Sequence, residues 1–295
     1  MRGVRRQMLF FDNLDRIVYL MNYTVTARKM GIPVLALSIM FDHIHSINLF
    51  ESRELMASFV RNHLSSFALA YNQDAGRKGP LFEKAYGNAP KQTLKKARSA
   101  IIYVGNNHVE KALEERAEQC RWSLIPYLDS CHPFSRKIEL RKASARLRRN
   151  LKSIDSFVTQ NTVIPYEVLR KYYQGLSSDE AEQLTDYLIS SYFPIDKEKV
   201  LSYFGGQYET FILALHSASG NDFDIKEDYS LSTHKPFQQL CRLCKKSSFR
   251  NNIKTIQTVS ADKKRQLAET LYKLSDASKK EIGRFLDFDE WRTSA

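Results

Sequence analysis

From Ile32 to Met40 the chain reads Ile-Pro-Val-Leu-Ala-Leu-Ser-Ile-Met, a short apolar run with β-branched residues, bounded by Gly31 and Asp42. A run of this length and composition between turn residues predicts a buried strand. Around it the apolar positions recur at helical spacing, predicting helices from Asn13 to Met30, from Glu51 to about Asn72 and from about Thr93 to Asn107. A second short strand is expected near Leu81 to Tyr86. It follows the turn Asp74-Ala75-Gly76-Arg77-Lys78-Gly79-Pro80, where two glycines and a proline break any helix. Helices mixed with strands able to pair antiparallel predict an α+β domain over residues 1–128.

Beyond Pro133 the pattern becomes almost wholly helical. From Lys137 to Val158, Leu140, Ala143, Leu147, Leu151 and Ile154 recur at helical spacing, and Arg136, Lys137, Arg141, Lys142, Arg146, Arg148, Arg149 and Lys152 crowd the other faces. A charge run is usually a solvated face. Here every charge has one sign, and such charges repel one another unless an anion lies against them, which favours a phosphate-binding helix. Ser177 with Glu180 forms a capping box for the next helix, and Gly205-Gly206 ends the one after it. Residues 129–258 therefore form a basic helix with a helical extension. In residues 259–295, helices at Asp262–Ser275 and Ser278–Leu286 would pack through Leu267, Leu271, Leu274, Ile282, Phe285 and Leu286. They resemble the first two helices of a helix-turn-helix, but Asp289–Ala295 is very short for the third, so a helical hairpin is the better description.

Charge adds a class of partner. With 45 Lys and Arg against 33 Asp and Glu, the net charge is +12, which attracts polyanions, nucleic acid first among them. No apolar stretch approaches the roughly 18 residues that would span a bilayer. The charges in Phe10–Arg16 also break any signal-peptide pattern after the basic start, so no membrane and a cytoplasmic location are expected. The four cysteines are too sparse for a disulfide framework. Cys241 and Cys244 form a C-x-x-C without a second pair to complete a zinc site, and read as thiols on a helix.

The candidate chemistry lies in His43-Ile44-His45. If the strand continues through the triplet, its two-residue repeat puts both imidazoles on one face, close enough to share a metal ion. Alone, such a triplet is commonly two packed histidines, and a second half of the site is needed. Tyr103 and Asn107, four residues apart, share one face of a predicted helix.

The stretch Ile101-Ile102-Tyr103-Val104-Gly105-Asn106-Asn107-His108 resembles the tyrosine-bearing helix of the single-tyrosine HUH transposases, especially the REP-associated type, whose strand triplet is His-hydrophobic-His. Gly79-Pro80-Leu81-Phe82-Glu83 is similar to the family's Gly-Pro-Leu-aromatic strand, and Arg121-Trp122-Ser123 with Tyr127 to its Arg-Trp-Ser element. The resemblance, four ordered matches over residues 1–128, implies a ferredoxin/RRM-like antiparallel sheet with flanking helices. It also implies a site in which His43, His45 and Asn107 hold Mg2+ or Mn2+ and Tyr103 attacks DNA. Neutral imidazoles and an amide oxygen leave a divalent ion its charge, to polarise a phosphodiester and favour the tyrosine phenolate. The implied product is a 5′-phosphotyrosine with a free 3′-hydroxyl, later rejoined to another 3′ end. The implied partner is single-stranded DNA with hairpin ends, bound by a monomer or homodimer. Arg77, Lys78, Lys91, Lys95, Lys96, Arg98 and the basic helix residues Arg141, Arg148 and Arg149 are the expected phosphate contacts.

The chain departs from the family at Asp42, where asparagine is usual, at His108, where proline is usual, and at Glu110. Asp42 reads as a strand-end polar residue rather than an extra oxygen ligand. Arg2–Gln7 resembles the stretch after the family's first strand, so that strand is expected to be missing here, and the nucleotide sequence upstream is expected to encode it in frame. These departures sustain a second reading, a non-catalytic DNA-binding protein derived from a transposase. A relaxase is a weaker third, since those commonly place a lysine or second tyrosine near the first.

Overall fold

The fold is taken from a computed structural model, which describes residues 1–84, 87–91, 93–217, 234–249 and 251–292. Its first helix, α1 (Asn13–Met30), begins where the Asp12 carboxylate accepts the Asp15 N–H at 3.0 Å. It ends at Gly31, whose φ of 64° closes the last turn in a left-handed conformation that glycine adopts without a Cβ penalty. Its middle, from Asp15 to Val25, is buried, so α1 serves as the central helix of the molecule.

Strand β1 (Val34–Ile39) pairs antiparallel with β2 (Ile44–Asn48), Ser38 opposite His45 and Ile39 opposite Ile44. The expected continuation of the first strand through the histidines does not occur. The chain reverses at Phe41-Asp42, and the Met40 N–H donates to the His43 carbonyl at 3.0 Å to close the hairpin. The Phe41 carbonyl accepts from Leu9 and Phe10, and the Asp42 carbonyl from Gly3, so the turn is tied to the start of the chain. The triplet thus opens the second strand. The N-terminal residues lie beside it: Arg2 bridges His43 and Gly3 bridges Phe82, both antiparallel. Of the strand expected near residues 81–86, only this bridge at Phe82 is formed, and Tyr86 lies outside the described residues. Among the described residues the chain is mostly helical with a two-stranded antiparallel sheet, an α+β architecture with less sheet than expected.

Helix α2 (Arg53–Ala75) lies against α1, and α3 (Leu94–Glu110) lies across both strands. Then follow α4 (Ala145–Thr159), α5 (Tyr166–Tyr173), α6 (Ser178–Ser191), α7 (Lys197–Ser202), α8 (Tyr208–Ser217), α9 (Lys235–Lys245), α10 (Ala261–Leu274), α11 (Lys279–Leu286) and the single turn α12 (Asp289–Arg292). The helix expected from Lys137 starts only at Ala145. Ser144 caps it by accepting the Leu147 N–H at 3.1 Å, while its own N–H donates to Glu180 Oε1 at 2.8 Å. Leu140 and Arg141 therefore lie ahead of the helix, and Leu140 is 59% exposed. Glu180, expected to close a box with Ser177, spends its carboxylate on Ser144 instead.

One apolar cluster runs from Leu9 to Leu215 and joins α1, β1 and β2 to α4–α8. A second joins Met8, Phe11 and Phe41 to α9, α10 and α11. The C-terminal hairpin packs as expected through Leu271, Ile282, Phe285 and Leu286, but Leu274 is 59% exposed. Its turn is a full capping box: Ser278 Oγ accepts the Glu281 N–H at 3.3 Å and Glu281 Oε2 accepts the Ser278 N–H at 2.8 Å. Ser278→Ala is expected to cost about 1 kcal/mol, read as a lower urea midpoint at unchanged slope. No described helix is long and apolar enough to cross a membrane.

Candidate metal and nucleophile site

The hairpin brings the two histidines together. Their ring centroids stand 4.9 Å apart at 87°, on the side of the sheet that α3 covers. The α3 helix is fixed at its start by Thr93, whose hydroxyl accepts the Lys96 N–H at 3.3 Å. Two and a half turns later it presents Tyr103, which meets His45 edge to face at 5.6 Å between centroids. Tyr103 and Val104 pack with Ala36 of β1 and Ile47 of β2, which sets the depth of the helix on the sheet. Three of the expected site residues, His43, His45 and Tyr103, are thus assembled by the strand hairpin and one helix.

Asn107 lies one turn after Tyr103 and is buried, with its Nδ2 donating to the Tyr103 carbonyl at 3.1 Å within the helix. That leaves its amide oxygen as the ligand atom it can offer. His108 faces β1, its Nδ1 3.2 Å from Ser38 Oγ. Burial pushes the His108 imidazole down to about 3, so it is neutral at pH 7. It acts as a clamp between α3 and β1.

Asp42 is more than a strand-end polar residue. His43 Nδ1 lies 2.6 Å from its Oδ1, and His234 Nε2 lies 3.5 Å from the same oxygen. Burial alone would raise the Asp42 carboxyl, but His43, His234 and Arg284 together hold it well below the usual carboxylate range. A carboxylate on Nδ1 fixes the ring orientation of His43. Burial and the neighbouring positive charges push the His45 imidazole far below its ordinary value, so it too is neutral.

His234 enters from nearly two hundred residues along the chain. It stands at the start of α9. Its N–H reaches the Lys111 carbonyl at 3.4 Å, and its ring lies 5.7 Å from Phe41 and 5.8 Å from Phe237. The sequence signal for it was weak: a lone histidine beside no other ligand type. Beside the C-terminal end of α3, a cavity of about 420 Å³ is lined by Arg16, Phe41, His108, Trp122 and Gln238 among others. The Arg16 guanidinium lies 4.6 Å from the Phe41 ring centroid and 5.5 Å from that of Trp122.

The Arg-Trp-Ser element and Tyr127 are tied mainly to α6. Arg121 pairs with Glu182 at 2.6 Å and Asp186 at 3.1 Å, Tyr127 donates to Asp186 at 2.7 Å, and Ser123 Oγ donates to the Ala117 and Cys120 carbonyls. Lys78, Lys95, Lys96, Arg98, Arg141, Arg148 and Arg149 are exposed. Lys96, seven residues before Tyr103, lies on the same stripe of α3. Arg77 is half-buried and donates to Asn72 and Pro80, and Arg98 stacks on Phe204 at 5.5 Å. The chain matches no family model, no curated protein and no solved structure.

Proposed function

We propose that this chain is a metal-dependent nuclease and strand transferase acting on single-stranded DNA, with Tyr103 as nucleophile, built on the ferredoxin-like HUH arrangement that its motifs resemble. The observation that carries the reading is the meeting of a His-Ile-His strand with a helix-borne tyrosine: His43 and His45 side by side at 4.9 Å and Tyr103 against His45 at 5.6 Å. The donor chemistry fits a divalent cation. His43 is oriented by Asp42, His45 is neutral, and Asn107 stands one turn beyond the nucleophile. A divalent ion held by His43, His45 and Asn107, Mg2+ or Mn2+ in this reading, supplies Lewis-acid polarisation of a phosphodiester when bound.

The chain's own residues do the rest. The Tyr103 oxygen forms a bond to phosphorus, its proton passes to solvent water, and the P–O3′ bond breaks. The leaving O3′ takes up a proton and the 5′ side remains on the tyrosine. Attack by another 3′-hydroxyl reverses these steps and releases Tyr103. Exposed Lys95, Lys96 and Arg98 on the same helix, with Lys78, Arg141, Arg148 and Arg149, supply cations for the strand's phosphates, and half-buried Arg77 adds one at the turn.

One observation favours a second reading, a DNA-binding protein that does not cut. Tyr103 is only 2% exposed, so a strand reaches its oxygen only after neighbouring chain moves aside. Manganese and labelled single strands tiling the gene's flanks separate the two. A covalent protein–DNA band on a denaturing gel is expected. A native-gel shift without that band would overturn the catalytic reading in favour of the second.

A further inference from the structure

The carboxylate of Asp42 and the imidazoles of His43 and His234 each offer a ligand atom, and these atoms all lie within 4.8 Å of one another. The cluster is drawn from two distant parts of the chain, the β-hairpin turn and the start of α9. His234 is 4% exposed, and its buried Nδ1 has no hydrogen-bond partner among the described residues. Nε2 is the His234 nitrogen that faces the cluster, 3.5 Å from Asp42 Oδ1, and His43 Nδ1 lies 2.6 Å from the same oxygen.

The ring is also firmly placed. Phe41 and Phe237 flank it, and Phe41 itself packs into the apolar cluster of α9–α11. Leu240, fully buried, anchors the same helix one to two turns further on.

We infer that Asp42, His43 and His234 form a transition-metal site, so that the metal centre of this chain is completed by its C-terminal helical part. The inference rests on the metal-dependent reading above and deepens it: the ligand set gains a carboxylate and an imidazole from outside the strand triplet and the tyrosine helix. Two imidazoles with one carboxylate select cobalt, zinc and, more weakly, manganese over magnesium, which prefers an all-oxygen octahedron and keeps its waters. Metal occupancy and docking of α9 are then one equilibrium, because each metal bond to His234 holds α9 against the hairpin.

Equilibrium dialysis of the full chain with Co2+ and separately with Mg2+, without DNA, tests this. One Co2+ per chain and much weaker Mg2+ binding are expected. His234→Gln and His234→Ala should each weaken Co2+ binding by about tenfold or more. Co2+ binding unchanged in both variants would overturn the inference.

Because His234 is buried, the wild-type chain supplies an independent readout. Loaded with copper and treated with ascorbate and oxygen, it should carry 2-oxo-histidine at His43 and His234 in mass-spectrometric peptides. Oxidation of His43 and His45 without His234 would overturn the inference even if the variants fail to fold. Dialysis and oxidation use no DNA, so the two proposals fail separately. Co2+ binding that needs His234, without any covalent adduct, would leave this site standing and remove the nuclease. An adduct that persists in His234→Gln with Co2+ affinity intact would do the reverse.

Discussion

Replacing Lys254 with methionine is expected to cost about 3–5 kcal/mol of stability, a fall in melting temperature on the order of 10 °C. Lys254 Nζ is buried and lies 2.5 Å from Asp15 Oδ1 and 2.9 Å from Asp74 Oδ2, with the Tyr166 ring centroid at 3.6 Å. It joins the turn Ile253–Thr258 to α1, the end of α2 and α5 at once. Methionine keeps the volume of the side chain, so the loss reports the missing charge rather than a cavity. Asp74 keeps Arg170, at 2.5 Å, and the Asn252 amide, at 3.1 Å. Asp15 keeps only neutral donors, the Tyr166 hydroxyl at 3.0 Å and the Phe11 N–H at 3.0 Å, and is left a buried anion without a cation.

The loss should depend on pH. Burial raises the Asp15 carboxyl, Lys254 opposes this, and the balance lies at about 6 against an ordinary value of 3.8. A carboxyl raised on folding contributes stability below its unfolded value and loses it as pH climbs through the folded value. Without Lys254 the folded value rises further, so the variant's deficit should be larger at pH 7.5 than at pH 5. Chemical denaturation of both proteins at the two pH values measures it. A deficit under about 1 kcal/mol, or one equal at both pH values, would mean that the lysine is not what balances these carboxylates.

The second large effect is on chemistry. Tyr103→Phe is expected to remove the covalent DNA adduct completely while the protein still folds and still shifts single strands. The ring is buried among Ala36, Val104 and Ile47 and meets His45 edge to face, contacts that phenylalanine keeps. Only the oxygen is lost, at a stability cost of about 1 kcal/mol. In the proposed reading, binding rests on phosphate contacts from exposed lysines and arginines, which the substitution leaves in place. Adducts of undiminished yield in Tyr103→Phe would assign the nucleophile to another residue, and a lost native shift would mean that the variant reports folding instead.

Much of the local structure was legible in the chain. The extent of α1 follows from its apolar positions between the Asp12 cap and Gly31, and the Ser278 and Glu281 box stands where its spacing puts it. Asn107 on the turn after Tyr103 follows from helical spacing alone. The elements that went astray did so where a distant partner outweighed the local pattern. The hairpin at Phe41-Asp42 forms because Leu9, Phe10 and Gly3 bind its carbonyls and Phe41 fills the C-terminal cluster, while the apolar run and triplet suggested one long strand. The start of α4 is delayed because Ser144 is held by Glu180 from another helix.

The sequence by itself therefore determined the first three helices and the C-terminal helical pair, the spacing of two imidazoles two residues apart, the placement of a tyrosine and an asparagine on one helix face, and the excess of positive charge. Only the tertiary structure decided that the tyrosine meets the second histidine, that Asp42 lies between two imidazoles, and that His234 and Lys254 close the distance between the two ends of the chain. The physical reason is range. Capping and periodicity act over about one helical turn, whereas a ligand cluster or a buried ion pair depends on burial, which arises only when remote segments exclude water together.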